Sequence, residues 1–204
     1  MSRIHTLTLF VFSLIGLCWV AVSASAQPWQ LPHQVTDANT HVTFTVDSTW
    51  HTVRGITSGI TGTISQSDAK DPLSIVVDLA IPVTSFNTDG ESRDERLREV
   101  MDAANHPAVR FVSSRLSQSC HPLRVAENKR CAGTLEGTLS IRDVSRAIAL
   151  PVELELEDNE SKISGSLDIS WADYHVEDPS ILIAKLAPIV TVSYSLAIPK
   201  PPPR

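Results

Sequence analysis

Through most of the chain the apolar residues fall on every second position. In THVTFTV (residues 40–46), Val42, Phe44 and Val46 lie on one side of an extended backbone and Thr43 and Thr45 on the other. LSIVVDLAI aligns Ile75, Val77, Leu79 and Ile81 in the same way. In AIALPVELELE, Ile148, Leu150, Val152, Leu154 and Leu156 alternate with Glu153, Glu155 and Glu157. KISGSLDISW sets Ile163, Gly165, Leu167, Ile169 and Trp171 against Ser164, Ser166, Asp168 and Ser170, and GTLEGTLSI and IVTVSYSLAI continue the habit. A period of two with one dry and one wet face predicts antiparallel strands. Turn-forming clusters separate them, at Ser67-Asp68-Ala69-Lys70-Asp71-Pro72 and Asp158-Asn159-Glu160. Closely spaced strands of this kind predict a barrel or a sandwich. Pro151, which has no N–H to offer a ladder, predicts an edge or bulge position within its strand. The tail PKPPPR (residues 199–204) lies beyond the last apolar run and is expected to be extended and unpacked.

One segment carries a different period and predicts the single strong helix. Ser92-Arg93-Asp94-Glu95 fits a capping box, with the Ser92 hydroxyl taking an orphan N–H and Glu95 reaching back. Asp94 and Glu95 suit the positive end of the helix dipole, and Asp94 precedes Arg98 by one turn. Leu97, Val100, Met101 and Ala104 share a face, and Asn105 with Pro107 stops the helix. These charges therefore read as helix physics rather than as a catalytic cluster. Arg93 is the exception, since it lies one turn before Leu97 on the apolar face. It either pairs with a strand-end acid, pinning the helix to the sheet, or meets an anionic ligand head at the mouth of a cavity.

Composition and charge narrow the setting. Residues 1–26 combine a basic start at Arg3, the apolar run LTLFVFSLIGLCWVAV and small residues up to Ala26, which reads as a secretory signal peptide. The run is shorter than the ~20 residues of a membrane span, and no later segment is a better candidate. Leu17 before Cys18 is too large for lipoprotein cleavage, so processing near Ala26 is the expectation. Without Arg3, 16 basic residues face 23 acidic ones, a net charge of about −7. That argues against nucleic acid and against anionic membrane surfaces. Cys120 and Cys131 remain, and in an exported chain a lone pair predicts one disulfide. A metal site at Cys120 and His121 lacks the second spaced pair that zinc patterns need.

A search for chemistry returns little. The chain has no paired-histidine metalloprotease motif, nucleophile elbow, phosphate loop or dinucleotide fingerprint. Glu153, Glu155 and Glu157 share one wet strand face. The aromatic residues that fall on the apolar register fit a filled core and a ligand-holding barrel equally well.

Arg93-Asp94-Glu95-Arg96-Leu97, followed by His106-Pro107 and VRFVSS, resembles the R-D-x-x-L … P-x-[ILV]-x-F-x-S signature of the YceI-like family of exported, lipocalin-related bacterial proteins. VRGITSGITGTI (residues 53–64), Thr40-x-Val42-x-Phe44 and GTLEGTLSIRDVSRAIALPV resemble three further segments of the family. There are departures. Thr57 and Ile60 stand at phenylalanine-like positions, and VMDAANHP follows the helix where relatives show Phe-Phe-Asp. Arg142-Asp143-Val144-Ser145-Arg146 replaces the family's His-Gly-Val-Thr-Lys turn. The loss of aromatics predicts a reshaped channel.

The resemblance implies a mainly β fold, an extended antiparallel β-barrel of about eight strands with one short α-helix, over residues 27–198. It implies a long apolar channel for an isoprenoid, a quinone or another lipid, with no catalysis and no cofactor. The residues expected to line that channel are Phe44, Ile75, Val77, Phe86, Phe111, Leu154, Ile169 and Trp171, with Arg93 and Tyr174 as polar contacts. The expected partner is a hydrophobic small molecule, with room left for a homodimer, and the expected location is the periplasm. The rival readings are an accessory presenting a quinone-like ligand to a membrane cytochrome, an enzyme working through His51 or His175, and an envelope protein with a filled core.

Overall fold

The computed structural model describes residues 31–178, 180 and 185–200. The expected signal peptide and the end of the tail (201–204) lie outside the described residues. The alternating segments form ten strands: β1 (His33–Val35), β2 (Thr40–Ser48), β3 (Thr52–Ile56), β4 (Thr61–Gln66), β5 (Ile75–Pro82), β6 (Ala108–Leu116), β7 (Arg130–Ile141), β8 (Val144–Leu156), β9 (Glu160–Ser170) and β10 (Leu186–Pro199). They pair antiparallel in the order β1-β4-β5-β6-β7-β8-β9-β10-β2-β3. The product is a curled ten-stranded half-barrel with the apolar faces inward. Helix α1 (Glu91–Val100) follows β5, and α2 (Pro122–Asn128) lies between β6 and β7.

Three expectations are corrected here. The described residues form ten strands rather than about eight, because extended pairing is interrupted at residues 36–39, between β1 and β2, and at 57–60, between β3 and β4. Gly59 adopts φ +67°, which ends extended pairing there. The Asp37 carboxylate stitches the two breaks together by accepting from the Gly59 and Ile60 amides at 2.6 and 2.9 Å. The described residues hold two α-helices rather than one, because the loop between the cysteines coils into α2. Pro122 occupies its first turn, His121 Nδ1 accepts from the Leu123 amide at 3.3 Å, and Val125 is fully buried. Cys120 and Cys131 are joined as a disulfide. The tail also begins later than expected: Pro199 pairs with Glu160 as the last residue of β10, and the Lys200 amide donates to the Asn159 carbonyl.

Helix α1 begins one residue before the expected cap. Its N-cap is Gly90, with no side-chain cap bond, so the capping box from Ser92 does not form. Asp94 instead accepts from the amide and hydroxyl of the buried Thr88, at 2.8 and 2.6 Å. That contact takes up the acid expected to pair with Arg98, and the ion pair on this helix runs from Arg96 to Glu99. Val100 and Met101 are buried as the apolar face requires. Ala104 is exposed because the helix has ended before it.

An apolar cavity inside the curled sheet

The interior is a cavity rather than a filled core. A space of about 670 Å³ runs through the half-barrel, and side chains from all ten strands or from α1 line it. Inward residues toward the α2 end, such as Ile64, Ile75, Leu116, Leu135 and Leu154, are buried. Inward residues of β8, β9 and β10 such as Ile148, Leu167, Ile169 and Val192 are only half-buried, because their inner faces border open space.

Inward-facing glycines keep that space open. A Cβ on Gly55 would sit 2.1 Å from the Phe44 ring, one on Gly137 would sit 2.8 Å from the Phe111 ring, and one on Gly165 would meet the Tyr194 phenol at 2.3 Å. Phe44 is registered opposite Gly55, and Tyr194 opposite Gly165. Each aromatic ring therefore lies down over a glycine of a nearby strand, along the wall, instead of crossing the lumen. The Phe44 and Phe86 rings continue this wall with centroids 5.6 Å apart, tilted at 47°.

The eight residues expected to line the channel and the two expected polar contacts all border this cavity. Phe44, Ile75, Val77, Phe111, Leu154 and Ile169 do so from strands, Phe86 from the turn after β5, and Trp171 and Tyr174 from the helical turn after β9. Arg93 borders the mouth beside Ser92 and Arg96, but among the described residues it pairs with no strand-end acid. Its Nε and Nη2 donate to the Thr88 hydroxyl and carbonyl at 3.2 and 2.8 Å, so the guanidinium folds back on its own helix start. Burial pushes the Tyr174 phenol up in pKa, with Arg146 opposing the shift. Tyr194 also borders the cavity, from β10. Its hydroxyl donates to the Pro151 carbonyl, and burial first, then Glu153, raises its pKa far above the usual phenol value. The signal was present as Gly165 on the apolar register of its strand, a gap that a neighbouring ring fills.

The polar inventory is sparse. His51 borders the cavity mouth and His175 does not. His175 sits in a turn at φ 53°, with its carbonyl accepting from Arg142. Among the described residues no group of three or more His, Cys, Asp or Glu side chains is placed to hold a metal ion. No described helix is long and apolar enough to cross a membrane.

A protein-family model described as "YceI-like domain" matches residues 33–198. Among solved structures, BcnA of Burkholderia cenocepacia superposes with a TM-score of 0.62 at 17% identity, over 78% of this chain and 95% of that one. A polyisoprenoid binding domain from Saccharophagus degradans, implicated in plant cell wall breakdown, gives 0.63 at 17% identity, over 82% and 97%. The YCEI protein of Campylobacter jejuni gives 0.56 at 20% identity, over 73% and 85%. At these identities the structures establish the fold alone. No curated protein matches the chain.

Proposed function

The chain belongs to the YceI-like domain family, and from that premise we propose that it is an exported periplasmic protein holding a long-chain apolar or amphiphilic ligand inside its curled sheet. The isoprenoids, quinones and other lipids are the candidate ligands. The observation that carries this reading is the 670 Å³ cavity with an almost wholly apolar wall. At the ~30 Å³ that a water occupies, it has room for on the order of twenty methylene-sized groups. At ~0.8 kcal/mol per methylene, their burial is worth roughly 15–20 kcal/mol gross, before ordering costs are deducted. Apolar area alone therefore supplies tight binding, and a few polar groups at the mouth suffice for the head. Arg93, Arg96 and Tyr174 are the proposed head contacts. The related fold of a polyisoprenoid binding domain supports the reading. The homodimer draws no support from this geometry.

The test is native mass spectrometry and organic extraction of the purified chain. The expected result is a co-purifying apolar molecule that extraction removes and that rebinds. Repeated preparations without any such ligand, and no uptake of added isoprenoid or fatty acid, would overturn the reading.

A further inference from the structure

The wall of the cavity is split between β8 and β9. β8 stays paired to β7 from Val144 to Glu155, and β9 stays paired to β10 as far as Ser170. Between the two, only Glu153–Leu156 and Ser161–Ser164 are in register. No β9 residue is registered opposite the stretch from Val144 to Val152. The fork lies at Pro151, which has no N–H with which to continue the ladder. A hollow fills the gap above the fork, lined by Arg146, Ala147 and Ile148 on one side and by Leu167, Asp168 and Ile169 among others on the opposite side. Ile148, Leu167, Ile169 and Tyr174 border both this hollow and the central cavity, so the two spaces adjoin.

Side chains close both ends of the split where backbone pairing is missing. At the fork, Tyr194 reaches from β10 over Gly165 of β9 to the Pro151 carbonyl of β8. At the mouth, Arg146 Nε donates to the Asp173 carbonyl at 2.6 Å, with Nη2 at 4.0 Å from the Asp173 carboxylate. The same guanidinium stands 5.9 Å from the Tyr174 ring centroid, and Arg142 Nη1 donates to the His175 carbonyl at 2.7 Å. Arg146 shares the inward parity of Ile148 and Leu150, yet its side chain is 48% exposed because it crosses the split. An exposed ion pair of this kind is worth little in water and opens readily.

We propose that the β8–β9 split is a lateral portal through which the apolar chain of the ligand passes between solvent and cavity, with Arg146 as the strap that closes it. The inference rests on the binding reading above and adds a route to it. A chain entering sideways slides its length past Ile148, Leu167 and Ile169, and need not thread end-on past the arginines of α1. The strap crosses the opening, so it governs rate rather than affinity.

The experiment uses the full chain and 11-(dansylamino)undecanoic acid, read by equilibrium titration and stopped-flow fluorescence. Arg146→Met is expected to raise association and dissociation rates together, about fivefold, with the dissociation constant within about twofold of wild type. Ala147→Cys/Asp168→Cys in a Cys18→Ser background, bridged by a bis-maleimide, is expected to slow uptake about tenfold at unchanged affinity, relative to the same protein unbridged. Uptake by the bridged protein at the unbridged rate overturns the portal, whatever Arg146→Met does. Failure of the wild-type chain to bind the probe at equilibrium overturns the binding reading, and the portal falls with it.

Discussion

Single side chains do specific work at the two ends of the half-barrel. Tyr194→Phe removes the donor that satisfies Pro151 and leaves the fork unlatched. The expected cost is about 1 kcal/mol, read as a lower denaturation midpoint at unchanged slope. At the α2 end, Asp71 accepts from the Leu73 amide at 3.0 Å and from Arg115 Nη1 at 2.7 Å. The Leu73 hydrogen bond first, and Arg115 second, hold its carboxyl below the ordinary 3.8. A carboxyl lowered in the folded state stabilises fully above its unfolded value. That contribution fades as the pH falls from near 3.8 through the lower folded value. Hydrogen-exchange protection of the Leu73 and Ser74 amides should therefore drop in that acid window, and Asp71→Asn should show the weaker protection already at neutral pH. The inward positions of the strands were legible because strand parity places every second side chain inward. Arg93 was only half legible: its face was right, but its partner, Thr88, lies in the preceding loop, whose path no periodicity reports.

At the scale of elements, α1 was readable from its apolar stripe, but its first residue was not. The helix start is set by the Ile56–Asn87 bridge, a tertiary contact, and by Asp94 holding Thr88 of the preceding loop, which together outweigh the cap from Ser92. Asp94→Ala should fray the first turn of α1 and cost about 1 kcal/mol, seen as faster exchange of its amides with the sheet unaffected. The seven-residue α2 is below the length at which a helix persists by propensity, so its pattern looked like loop. It exists because Val125 is buried and Cys120–Cys131 closes the segment. Cys120→Ser/Cys131→Ser should lower stability by roughly 2–3 kcal/mol and melt α2 first, by circular dichroism and exchange.

For the whole molecule, function turns on an interior left open. Leu150 stands midway along the cavity wall, so Leu150→Trp should shorten the longest fatty acid or isoprenoid retained, measured by mass spectrometry across a chain-length series, while shorter chains keep their affinity. Alternation along the strands was enough, from sequence alone, to determine a mainly β antiparallel fold, which face of each strand turns inward, and where the strong helix falls. It could not say whether the inward faces meet, because parity records direction and not distance. The tertiary structure decided that Phe44, Phe111 and Tyr194 lie over glycines and leave a lumen. It also decided that the sheet breaks into ten strands, and that the wall forks at Pro151. Those outcomes depend on how far curvature carries one strand from the next, which is set by contacts between residues far apart in the chain.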